Sequence, residues 1–156
     1  MKWNLLGQRP RAGLLVFLLA SLPAFGVLGG SEASVQTDQS HLKASLRTAQ
    51  MESYTVHELH APTGTVVREY VAGGTVFGLA WEGPWPPDMR QLLGNYFDPY
   101  MQAREQQIRN GPPGRRPVHV ELPEFVVNIA GHPGFVRGQA FVPSLLPNGV
   151  AAKDVR

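Results

Sequence analysis

The chain has 156 residues, 14 basic and 12 acidic side chains and no cysteine. Lacking cysteine, it has no disulfide, no thiol nucleophile, no thiolate metal ligand and no lipoprotein-type lipid anchor, so the fold must rest on its core. Three of the basic residues fall in the first 26 positions, and the remainder holds eleven basic against twelve acidic side chains, a net of −1 that argues against nucleic acid or anionic membrane as a general partner.

Met1–Gly26 has the three parts of a secretory signal peptide. Lys2, Arg9 and Arg11 form a positive lead, "GLLVFLLASL" from Gly13 is a short apolar run, and Ala24 and Gly26 are small residues placed for signal peptidase. The apolar run is about half the roughly 20 residues that a spanning helix needs. The sequence therefore predicts export to the periplasm or medium, with cleavage after Gly26 and no transmembrane anchor left behind. Residues 27–156 are long enough for one independent core.

Residues 27–36 are rich in Gly and Ser and read as a flexible lead-in to a single domain over 37–156. "TDQSHLKASLRTAQ" then predicts a short helix capped by Thr37 or Asp38, with Leu42, Leu46 and Ala49 as its apolar stripe. From Tyr54 the period changes to two. "YTVHEL", "TVVREYV" and "TVFGLAW", separated by "APTG" and "AGG", predict a three-strand antiparallel meander. A first turn centred on Pro62 and Thr63 sets Leu59 against Val66 and His57 against Arg68. A second on Gly73 and Gly74 sets Tyr70 against Phe77 and Val66 against Trp81. Leu59, Val66, Tyr70, Phe77, Leu79 and Trp81 then share one face. Arg68 lies among apolar neighbours in that register and needs a partner or ligand, whereas a one-residue slip would place it in solvent.

"EGPWPP" cannot continue a strand, because three prolines lack the N–H that a ladder requires. Asp88 stands where an N-cap belongs, with Gln91 placed for a capping box. Met89, Leu92, Leu93, Tyr96, Phe97, Tyr100 and Met101 follow at helical spacing, with a kink or break expected near Asp98 because of Pro99. This helix is expected to cover the Trp81 face, with Trp81 and Trp85 closing the core at the corner. The competing reading makes the two rings an aromatic platform for a sugar or peptide. The basic connection from Arg104 to Arg116 reads as a solvated loop. "VHVEL", "EFVVNI" and "GFVRGQAFV" complete the strands, with "AGHPG" as a turn, and a terminal loop follows. The expected class is α+β: an antiparallel sheet of five to six strands with one main amphipathic helix and a short N-terminal helix on one face.

The leader, "LGG", "YTVHEL…GTVVREYV", "VFGLAWEGPWPPDMRQLLGNYF" and "FVPSLLPNGV" together resemble a family of small exported proteobacterial proteins known only as a domain of unknown function. The likeness spans the chain after the leader. It implies an exported, periplasmic protein and brings no catalytic residues with it.

The candidate chemistry is sparse. "HELH", His57 to His60, is one residue short of the H-E-x-x-H zinc motif, and on a strand His57 and His60 point to opposite faces. His119 and Glu121 share a strand face and would serve as two ligands of a site completed from elsewhere, or as half-exposed structural residues. His41 and His132 have no evident partner. There is no G-x-S-x-G elbow, P-loop or dinucleotide fingerprint. Neither a metal nor a cofactor is therefore expected, and no catalytic residue is assigned. The leading expectation is a non-catalytic module that binds a protein or envelope component. The alternative is a small hydrolase or metalloenzyme using His57, Arg68, His119 or Glu121, which requires at least three of these to meet in one pocket.

Overall fold

The computed structural model describes residues 27–111 and 117–156. The expected signal peptide and the arginines Arg115 and Arg116 lie outside them. The elements are α1 (Ser34–Leu42), β1 (Ser45–Gln50), β2 (Thr55–His60), β3 (Val66–Ala72), β4 (Thr75–Gly83), α2 (Met89–Leu93), a 3₁₀ turn (Gly94–Tyr96), α3 (Phe97–Asn110), β5 (Val118–Glu121), β6 (Val126–His132) and β7 (Phe135–Phe141). The strands form one antiparallel sheet in the order β1-β2-β3-β4-β7-β6-β5. This mixed α/β architecture has seven strands where five to six were expected, with α3 as its main helix. The connection through α2 and α3 carries the chain to the far edge, so that β7 returns to pair with β4.

The extra strand is β1. The segment from Thr37, expected as one helix, divides in two. At Lys43 the backbone turns left-handed (φ 49°), its N–H closes α1 on Gln39 and Ser40, and the chain leaves extended. Leu46 then faces Leu59 across the sheet, and Ala49 faces Val56. Neither Thr37 nor Asp38 caps α1. The N-cap is Ala33, and Asp38 is turned inward and buried. Residues 27–36 are not a loose lead-in either. Gly29 N–H donates to Val76 O, Val76 N–H donates to Gly30 O, Ser31 bridges Thr75, and Val27 is fully buried.

The meander forms as expected, but its register is displaced by one. Leu59 opposes Val67, Glu58 opposes Arg68 and Val67 opposes Trp81. The first loop spans five residues, closed by Ala61 N–H to Thr65 O, and not a two-residue turn. The second turn is the expected one, with Gly73 and Gly74 both at positive φ between Ala72 and Thr75. A bulge at Tyr70/Val71 then turns Phe77 to the face opposite Leu79 and Trp81.

Two cores result. On one face Leu59, Val67, Leu79, Trp81, Val127 and Ala140 pack with Val35 of α1, Leu92 and Leu93 of α2 and Tyr100 of α3. On the other, Val56, Tyr70, Phe77, Val126 and Phe141 meet Val155, with Leu146, Val150 and Ala152 of the C-terminal segment packed against them. Asp88 caps α2 through Oδ1, which accepts from Arg90 N–H and Gln91 N–H at 3.0 and 3.1 Å. The helical run breaks at Gly94–Tyr96, upstream of the expected place, because Pro99 falls in the first turn of α3, where its missing N–H has no helical partner.

Of Trp81 and Trp85, only Trp81 closes the core. It is 1 % exposed, and its ring lies over Gly138, where an added Cβ would stand 2.3 Å from Cζ2. Trp85 is 67 % exposed. Thr65 Oγ1 donates to its carbonyl at 2.8 Å, and with the flanking prolines this holds the corner with the ring outside.

Candidate functional site

The pairing of neighbouring strands draws a row of side chains across the less covered face. It runs from His119 on β5 through Asn128, Gln139, Ala80 and Arg68 to Glu58, and ends at Arg47 on β1. Ala80 is its one apolar member. The next row, from Val126 through Phe141 and Gly78 to Tyr70 and Val56, is apolar and lies under the C-terminal segment. Tyr70 fastens that segment: its hydroxyl donates to Arg156 O and accepts from Arg156 N–H.

Two clefts flank this arrangement, and both are lined by Arg68 and Arg156. The larger, about 680 Å³, lies over Ala80, Ala130, Asn128 and Gln139, with His119 and Arg137 at its wall. The smaller, about 540 Å³, lies over Arg47, Ala49, Val56 and Glu58. Both fall in the size range of small-molecule sites.

Arg68, Glu58, Glu82 and His60 form one linked group of charges on this face. Arg68 Nε donates to Glu58 at 2.8 Å and its NH2 group to Glu82 at 2.9 Å, while His60 Nε2 stands 2.5 Å from Glu58. Burial opposes ionisation of Glu58, but the bonds from Arg68 and His60 outweigh it and hold its carboxyl below the usual range. His119 Nδ1 meets Asn128 Oδ1 at 2.5 Å, and its Nε2 is 3.4 Å from Glu121.

The helix-covered face holds a different polar cluster. Glu69 is fully buried beside Asp38, which accepts from Gln91 Nε2 at 2.5 Å. Gln91 therefore serves the α1–α2 contact and not the capping box expected of it. Asp38 Oδ2 and both Glu69 oxygens have no donor within reach, so the two acids satisfy one another only when they share a proton. Burial, reinforced by the Asp38 charge and the bond between them, pushes Glu69 up to about 9. Beside this pair, His57 lies between Thr48 Oγ1, 3.1 Å from Nδ1, and Glu32 Oε1, 2.9 Å from Nε2.

Of the four residues singled out in sequence, Arg68 and His119 line the larger cleft, and Glu121 touches His119 outside it. His57 is on the opposite face of the sheet, so three do not meet in one pocket. His57 and His60 are likewise on opposite faces, and among the described residues no three His, Asp or Glu side chains are grouped to hold a metal. Asn128 and Gln139 were missed by sequence reasoning. Neither carries a motif, and only the register aligns them with Arg68.

The family described as protein of unknown function (DUF2844) matches residues 24–155, and the chain belongs to it. No curated protein and no solved structure matches the chain.

Proposed function

We propose that this DUF2844 member is an exported, non-catalytic binding module of the cell envelope whose ligand sits in the larger cleft. The observation that carries the reading is the polar row. A sheet face that served only packing would be apolar throughout, as the adjoining row is. Here amide side chains with spare hydrogen-bonding capacity lie on the floor of a small-molecule-sized cleft. Export rests on the leader.

A photo-crosslinking residue at Gln139, tested in cells, is expected to give discrete adducts that the same residue at Gln102, on α3, does not. Equal labelling from both positions would remove the cleft from consideration. Amino-terminal sequencing of protein from the exported fraction is expected to begin at Val27, and intact Met1 in the cytosol would remove export.

The second reading is a small periplasmic hydrolase. One observation favours it: His57 joins a hydroxyl to a carboxylate, as in a nucleophile–base–acid relay. Against it, neither large cleft is lined by His57 or Glu32. Ester hydrolysis that disappears in Thr48→Ala would establish this reading in place of the first.

A further inference from the structure

We propose that the larger cleft takes a small hydroxylated acid, a sugar acid in chemical class. This deepens the binding reading and rests on it. Arg68, Arg137 and Arg156 line the cleft with one acidic side chain, Glu82. Glu82 is already engaged by Arg68. Arg137 stands opposite Glu82 in the register, yet it makes no ion pair within 4.0 Å among the described residues and is solvent-exposed. Its guanidinium presents a planar fork of donors suited to a carboxylate.

The rest of the cleft suits hydroxyl groups. Gln139 and Asn128 face each other across β6 and β7. The Asn128 amide nitrogen and both polar atoms of Gln139 have no side-chain hydrogen bond among the described residues, since Asn128 engages His119 only through Oδ1. Together they offer donors and an acceptor within one residue pair, as a ring of hydroxyls requires. The neighbouring floor positions are Ala80 and Ala130, which leave room for a ring to approach the sheet. A volume of about 680 Å³ accommodates one or two sugar residues and not a folded partner.

Titration calorimetry on residues 27–156 with D-galacturonate tests this, using galactose, acetate and inorganic phosphate as comparison ligands. Galacturonate is expected to bind at least about tenfold more tightly than each of the other three, because the acid and the hydroxyls contribute together. Arg137→Gln and Gln139→Leu are each expected to weaken it by about tenfold with an unchanged melting temperature, since both side chains are solvent-accessible. Equal binding of acetate or phosphate would overturn the proposal in favour of a bare anion contact. Equal binding of galactose would overturn the acid component. No galacturonate binding, with cleft-specific crosslinking intact, would overturn the ligand class while leaving the binding reading standing. Absence of cleft-specific crosslinks would remove both.

Discussion

Arg68 and Glu69 follow one another on β3, and the pleat sends them to opposite faces of the sheet. On the open face Arg68 keeps its charge between Glu58 and Glu82, with its side chain 24 % exposed. On the helix-covered face Glu69 accepts no hydrogen bond from a cation among the described residues, lies beside a second carboxyl, and meets burial by keeping its proton. One step along the strand separates a charge that is paired from a charge that is given up. The covered face holds the larger of the two cores. The open face stays polar beyond the part that the C-terminal segment covers, which is why the proposed ligand is assigned to it.

The strongest test of this division is Trp81, on the covered face. Trp81→Ala is expected to cost about 3–5 kcal/mol, because a fully enclosed indole leaves a cavity that the sheet and helices cannot close. Gly138→Val acts on the same contact from the other side, since no Cβ fits between β7 and the ring. Urea denaturation of both variants checks this. An unchanged midpoint for either would mean that the covered face is not the main core.

Glu69 gives the next effect, and it depends on pH. The folded chain holds a proton at Glu69 up to about pH 9, whereas the unfolded chain releases it near the ordinary 4.5. Asp38 is raised as well, by burial, so the proton belongs to the pair. Below pH 4.5 this costs nothing. Between 4.5 and 9 the folded state loses up to about 1.4 kcal/mol of stability per pH unit, and above 9 the loss levels off. Glu69→Gln removes the titration. The variant is expected to match the parent near pH 4 and to exceed it by more than about 2 kcal/mol at pH 8. A difference that does not change with pH would show that the pair is solvated.

These contrasts were only partly legible beforehand. The meander, the final hairpin and the Asp88 cap follow from local signals: alternating β-branched residues, paired glycines and a short acidic residue before an apolar helix. β1 was lost because Leu42 and Leu46 fit helical spacing, and the left-handed turn at Lys43 has no strong residue signature. The register slipped in two places: a five-residue loop around Pro62 resembles a two-residue turn, and the bulge at Tyr70/Val71 carries no sequence signal. In a sheet each such slip exchanges faces, as it does for Val66 and Val67. The slips also concealed the polar row, since Asn128, Gln139 and Arg68 are far apart in sequence and aligned only by pairing. The Asp38–Glu69 pair was hidden for the same reason, an acid on a helix meeting an acid on a strand.

On the open face the expected effect is smaller. Arg68→Met is expected to cost about 1 kcal/mol at low salt, and less in high salt, because its partners are partly solvated and screened. The Glu58 carboxyl, no longer held down by the guanidinium, is expected to titrate higher in a carboxyl NMR experiment. A loss as large as that of Trp81→Ala would make the row structural and weaken the case for a ligand.

Trp85 is expected to matter least to stability. Its ring touches neither core, and what the corner needs from this residue is its carbonyl, which Thr65 binds and which any side chain retains. Trp85→Ala should therefore shift the urea midpoint by no more than about 0.5 kcal/mol equivalent, as surface changes do. Thr65→Val, which removes the hydroxyl that holds the corner from a buried position, should cost more, about 1 kcal/mol. The same pair of variants separates the tryptophans spectroscopically. In residues 27–156, which lack Trp3, native emission should combine a blue Trp81 component with a red one, and Trp85→Ala should delete the red part alone. If Trp85→Ala instead costs as much as Trp81→Ala, the ring packs inward in solution. The contrast between an enclosed and an exposed tryptophan on either side of the proline corner would then be lost.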